Sequence, residues 1–187
     1  MADDVLWWHR RTGGKVLPSA HDGHVGYRSS RPGLHPGPQG EYLRDDLGAG
    51  CLAMRAAFDR GSFLTRGAPF APDWKVVTVP PATAGTNEHL LDRVRPRDYD
   101  VDLRSAPPAA RARLDTARPT YDAGTEFRSD PLPRLAIGPA YDALVHLRAT
   151  TPARPLRAPS AAPPLRLPRP PVGRGPATAG GAAPLSR

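Results

Sequence analysis

Between residues 41 and 60 the apolar side chains Leu43, Leu47, Cys51, Met54 and Phe58 recur at steps of four, four, three and four. Residues at those steps share one face of a helix, so the pattern predicts an amphipathic helix over residues 41–60. Glu41, Asp45 and Asp46 stand toward its start, Arg55 and Arg60 toward its end, and Gly61 is placed to close it, the arrangement a helix dipole favours. Gly48 and Gly50 oppose it, each by about 1 kcal/mol relative to alanine, and are the points at which it would divide.

Elsewhere the patterns are shorter. Residues 11–40 are crowded with Gly, Pro, Ser and His and follow neither helical nor strand periodicity, which reads as extended loop. "WKVVTVP", residues 74–80, is β-branched and ends at proline, as an edge strand would. "TNEHLLDRV" reads as a short helix with Thr86 or Asn87 as its cap and Glu88 in the first turn. In "DYDVDL" Tyr99, Val101 and Leu103 alternate with Asp98, Asp100 and Asp102, the pattern of a half-buried strand. Ser105 is placed to cap a helix that begins at Pro107 and Pro108. Residues 140–149, between Pro139 and Pro152, read as a last short helix.

These elements predict a small, loosely packed α+β protein in three segments. Residues 1–40 are a Gly/Pro/His-rich segment, largely loop; residues 41–150 are the α+β region; residues 151–187 are a long disordered Pro/Arg-rich tail. The tail contains ten prolines and no aromatic residue. It buries too little apolar surface to offset an ordering cost of about 1–2 kcal/mol per residue.

Charge sharpens that division. The chain carries 26 basic and 18 acidic residues, a net charge of +8. From residue 151 onward there are six arginines and no acid, which leaves 20 basic against 18 acidic residues before it. The tail arginines Arg154, Arg157, Arg166, Arg169 and Arg174 are therefore the candidate polyanion-binding residues, acting by counterion release. Without aromatic residues among them they would not read a sequence. "PARPLR", residues 152–157, also has the spacing of a polyproline II ligand for a protein partner, although a tail of this composition generates such matches by chance. Only two lysines are present, so the arginine bias equally suits a GC-rich coding sequence.

Cys51 is the only cysteine, which excludes an internal disulfide and a multi-cysteine zinc site. Acids near the N-terminus and the short apolar run of residues 5–8 do not suit a secretory signal, and no stretch is long and apolar enough to span a membrane. The expected location is the cytoplasm, with no membrane partner.

Candidate chemistry is sparse. "HDGH", residues 21–24, places two imidazoles and a carboxylate within four positions, among four histidines in the first 35 residues (His9, His21, His24 and His35). A metal site needs three or four ligands that converge, and a solvated loop is the simpler reading. Asp98, Asp100 and Asp102 would project carboxylates about 7 Å apart from one strand face, with Arg93, Arg95 and Arg97 at hand as counter-charges. "TGGK", residues 12–15, has the end of a phosphate loop but His9 where the pattern has glycine and Val16 where it has Ser or Thr. Cys51 reads as a buried, inert thiol on the apolar stripe. Glu88 and His89, adjacent on a helix, point in different directions. No cofactor is expected.

"SFLTRGAPF", "VPP" and "AGTEF" contain Phe63, Leu64, Gly67, Pro69, Phe70, Pro80, Pro81 and residues 124–127, and together resemble fragments of the tuberculosis necrotizing toxin domain family over about a third of the chain. That resemblance implies a small hydrolase acting on a nucleotide such as NAD, without assigning catalytic residues. The residues by themselves point instead to a small basic non-catalytic protein whose tail makes weak contacts to polyanions or proteins. Composition bias alone would produce much of the same pattern, so an open reading frame without selected function is a third reading.

Overall fold

Strand formation in this chain depends on an unusual set of inward residues. In the computed structural model, which describes residues 1–66 and 73–154, the longest element is a strand, β1 (Met54–Arg66). Its inward positions carry Arg55, Ala57 and Asp59, while Met54 and Ala56 face outward. The buried side is thus partly charged and the exposed side partly apolar, the reverse of the alternation that identifies a strand.

β1 is central to a four-stranded sheet with the order β2-β1-β6-β3, where β2 is Trp74–Val79, β3 is Tyr99–Asp102 and β6 is Ala143–Thr150. β1 runs antiparallel to β2, with Phe63 opposite Val77, and parallel to β6, with Ala57 opposite His146. β3 closes the other edge antiparallel to β6, with Tyr99 opposite His146. Among the described residues five α-helices accompany the sheet: α1 (Ala2–Thr12), α2 (Asp22–Val25), α3 (Gln39–Leu47), α4 (Asn87–Asp92) and α5 (Pro108–Leu114). β4 (Arg118–Pro119) and β5 (Arg134–Leu135) form a separate two-stranded ladder. The fold is α+β. Its core gathers Tyr27, Leu91, Leu103, Ile137, Tyr141 and Leu144 between the sheet and the flanking segments.

The expected strand at 74–80 forms as the edge strand β2. The helix in "TNEHLLDRV" forms as α4, with the Thr86 hydroxyl accepting from the His89 amide. The alternation around Tyr99 forms β3, although Val101 remains exposed and Leu103 is buried one step beyond, in a 3-10 turn.

Three expectations are corrected. The helix over residues 41–60 stops at Leu47, because Gly48 adopts a φ of +52°, and the chain turns into β1. Of its supposed apolar stripe only Leu43 is buried, while Met54 is exposed on the strand. The helix over residues 140–149 is the interior strand β6, whose inward positions Leu144 and His146 alternate at strand period. Pairing on both sides overrides the helical preference of Ala, Leu and Arg. Ser105 does not cap α5: its hydroxyl donates to the Asp102 carbonyl at 3.1 Å, and Pro107 occupies the cap position.

The "largely loop" N-terminal segment also contains α1, whose acids stand first and whose basic residues stand last. Thr12 ends α1 and Gly13 closes it in the left-handed region, donating to the His9 carbonyl, so "TGGK" is a helix C-terminus. Nearly all of the tail lies outside the described residues, including Arg157, Arg166, Arg169 and Arg174; Arg154 is the last described position before it. Among the described residues no helix is long and apolar enough to cross a membrane.

Candidate functional site

α2 is a single helical turn set against the start of β1. Gly40, in the first turn of α3, makes the close approach possible: a Cβ there would overlap the carbonyl oxygens of Val25 and Gly26. This packing brings the "HDGH" loop over Arg55, and the segment after β4 lies alongside it. His21, Asp22, Arg55, Glu88, Tyr121 and Asp122 line one recess enclosing about 30 Å³.

Both nitrogens of His21 are engaged. Its Nδ1 accepts from the Gly23 amide at 3.1 Å, and its Nε2 faces the Ala123 carbonyl at 3.2 Å, which assigns the proton to Nε2. The imidazole therefore ties α2 to the 120–123 segment and holds Asp122, 3.6 Å from Nε2, against Arg31 at 3.3 Å. His24 is exposed, its ring edge-on to that of His21 with centroids 6.4 Å apart. Among the described residues no three His, Cys, Asp or Glu side chains come together as a metal-ligand set.

Asp22 is a second carboxylate beside Arg55, with Oδ2 3.9 Å from Arg55 Nε and Oδ1 accepting from the Ala56 amide at 3.4 Å. Burial raises its pKa above the ordinary 3.8, against the opposing effects of Arg55 and the amide. The result is a carboxylate more basic than one in water.

The floor is an ion pair withdrawn from solvent. Arg55 is 4% exposed and Glu88 0%. Arg55 Nη2 donates to Glu88 Oε1 at 3.3 Å, to the Thr120 hydroxyl at 2.9 Å and to the Tyr121 carbonyl at 3.0 Å. Glu88 Oε1 also accepts from the Thr120 hydroxyl at 2.6 Å and the Tyr121 amide at 3.1 Å. Burial raises the Glu88 pKa, with Arg55 and these donors opposing it. The local cap sets where α4 begins, the Thr86 hydroxyl accepting from the His89 amide, and this places Glu88 of its first turn against the guanidinium.

Arg55 and Glu88 had been visible only as a late-helix cation and a first-turn acid. No local signal couples positions 33 apart, and Arg55 on a helix would have faced elsewhere. Tyr121 and Asp122 lie in a segment without periodicity.

The other candidates fall outside the recess. Asp98 accepts from the Arg148 amide at 2.6 Å, and Asp102 pairs with Arg104 at 2.7 and 2.9 Å rather than with Arg93, Arg95 or Arg97. The hydrogen bonds from the Arg104 side chain hold the Asp102 carboxyl down to about 2. Cys51 is partly buried against the core. His89 Nδ1 faces the Ala82 carbonyl at 3.1 Å.

The chain belongs to the erythromycin esterase family, whose profile matches residues 1–150. This is a different family from the toxin glycohydrolases that the fragments around Phe63 and Pro80 resemble. Two solved structures have a similar fold. One is a protein from Bacillus cereus, with a TM-score of 0.70 and 19% identity, over 80% of this chain and 37% of that one. The other is a succinoglycan biosynthesis protein, with a TM-score of 0.72 and 20% identity, over 80% of this chain and 37% of that one. The chain thus spans well under two thirds of the structures it resembles. No curated protein sequence matches it.

Proposed function

We propose that this chain contributes a site for ester hydrolysis, with Asp22 as the acid-base group and Arg55 as the fixed positive charge. The observation that carries the reading is their juxtaposition, 3.9 Å apart in the lining of one recess, in a chain of the erythromycin esterase family. Asp22 takes a proton from water as the water oxygen bonds to the ester carbonyl carbon. Negative charge then develops on the carbonyl oxygen beside the guanidinium, whose own position is held by Glu88, Thr120 and Tyr121 and needs no rearrangement. When the intermediate collapses, the carbon–oxygen bond to the alcohol breaks and the departing alkoxide takes the proton back from Asp22. His21 is a positioning residue, because both its ring nitrogens are already engaged.

Incubation of the full chain with p-nitrophenyl acetate and with erythromycin tests this. Hydrolysis above the buffer rate, lost in Asp22→Asn, is expected. Rates equal to buffer on both esters overturn the reading. The tail arginines, from Arg154 onward, remain a proposed polyanion contact, read by comparing heparin binding of the full chain with that of a chain ending at Thr150.

A further inference from the structure

β2 ends the four-stranded sheet. β1 pairs with one side of it, and no backbone hydrogen bond from another described residue reaches the other side. Such an edge is a row of N–H and C=O groups open to pairing with another chain, and proteins commonly blunt it with proline, a bulge or several charges. β2 has neither proline nor bulge: its six residues pair with β1 without a break from Trp74 to Val79, and Lys75 is their single charge. The strand is also apolar where it meets solvent, with Trp74 50% and Val76 56% exposed.

The sequence of the strand selects its partner. Trp74, Val76 and Thr78 are exposed on one face of the sheet, whereas Val77 is half-buried and Val79 buried on the other. An added antiparallel strand keeps like faces together only when alternate positions match, because a slip of one residue exchanges the faces. For a second copy related by a two-fold axis normal to the sheet, one residue then stands opposite itself. With Lys75 at the axis two ammonium groups oppose each other directly. With Val77 at the axis, Pro80, which has no N–H, falls opposite Trp74. With Val76 at the axis, Val76 meets its own copy, Trp74 stands opposite Thr78 and Lys75 opposite Val77, so no charge faces a like charge. We propose that β2 is the contact between two copies of this chain, paired antiparallel about Val76 so that the two four-stranded sheets become one of eight strands. Aromatic and β-branched residues set opposite one another, as here, stabilise such a ladder. A single strand pair is at the small end of specific interfaces, so the copies separate on dilution. None of this depends on the ester-hydrolysis reading.

Sedimentation velocity of the full chain between about 1 and 100 µM should show monomer converting to dimer. Val76→Asp, which sets two carboxylates opposite each other, should remain monomeric over that range with an unchanged far-ultraviolet circular dichroism spectrum. Oxidative cross-linking with Cys51→Ser as background reads the register. Val76→Cys puts two thiols at directly opposed positions, about 4.5–5.5 Å apart between Cα atoms and within disulfide reach, and should give a covalent dimer. Lys75→Cys puts them on diagonal positions more than about 7 Å apart and should give at least about tenfold less. An unaltered chain that stays monomeric at every concentration overturns the proposal. So does a dimer that survives Val76→Asp, or one that cross-links equally through both cysteines, because the copies then meet elsewhere.

Discussion

Arg44 Nη2 and Asp142 Oδ2 meet at 2.5 Å across 98 positions of sequence. The same oxygen accepts from the Tyr27 hydroxyl and, at 3.0 Å, from the Ala53 amide, while the Arg44 guanidinium lies 4.1 Å from the centroid of the Tyr27 ring. Burial and the hydrogen bond to Asp142 push the Tyr27 phenol up, so it stays a donor. One carboxylate thereby joins α3, the segment after α2, the approach to β1 and the start of β6. The recess depends on this junction, because α2 rests on α3.

Asp142→Ala should therefore be costly. It leaves Arg44, the Tyr27 hydroxyl and the Ala53 amide without their shared acceptor, and a loss of about 3–5 kcal/mol is expected from urea denaturation. Asp142→Asn keeps one acceptor oxygen and should lose less. A change below about 1 kcal/mol for Asp142→Ala would show that the junction does not hold the fold.

The Arg55–Glu88 pair should behave as a unit. Arg55→Met or Glu88→Met alone leaves an opposite charge buried without its partner, at about 3–5 kcal/mol each. The double variant removes both charges and should lose clearly less than the sum of the two, as read from a double-mutant cycle of denaturation midpoints. Strict additivity would mean that the two side chains are not coupled.

His146 predicts a pH dependence. It is 0% exposed, its ring lies 5.2 Å from that of Tyr99, and both its nitrogens lack hydrogen-bond partners among the described residues. Burial lowers its pKa below 6.5, although Asp92, 3.7 Å away, and the more distant Asp59 and Asp98 oppose this. Below 6.5 the unfolded chain binds the proton that the folded chain resists, so this contribution is full above 6.5 and is lost as pH falls. Asp22 and Glu88, whose pKa values are raised, act in the opposite sense at lower pH, so the informative quantity is the difference from His146→Phe. That variant should fall within about 1 kcal/mol of the parent above neutrality and lose less stability on acidification. Parallel pH curves for the two proteins would contradict the assignment.

Gly40→Ala tests how α2 is placed. The added methyl would overlap the Val25 carbonyl, a backbone atom that cannot swing aside, so α2 and α3 must separate. A loss of about 1–3 kcal/mol is expected, together with a fall in ester hydrolysis, because Asp22 opens α2. Unchanged stability and rate would mean that the contact is not tight.

The elements legible in the sequence are those whose patterns are local. Thr86 capping α4 and the β-branched run of β2 need no distant partner. β1 and β6 were hidden because their inward faces carry Arg55, Asp59 and His146, charged or titratable residues that pattern reading assigns to the surface. Arg55 lines the recess, so there the chemistry of the site obscured the strand. His21 and Asp22 stood out as a motif, but their partners did not: Asp122 is joined to His21 across about a hundred positions, through a segment with no periodicity. What spacing could not supply was the closure of β1 against α4, which turns an isolated arginine and a first-turn glutamate into the floor of a recess.

The most direct measurement is the pH profile of p-nitrophenyl acetate hydrolysis by the full chain and by Asp22→Asn, between about pH 4 and 8. The account predicts a rate that rises through an inflection above 3.8, the ordinary carboxylate value, and that falls by about a hundredfold or more in the variant, with the inflection gone. An equal rate with the same profile in both proteins would contradict it.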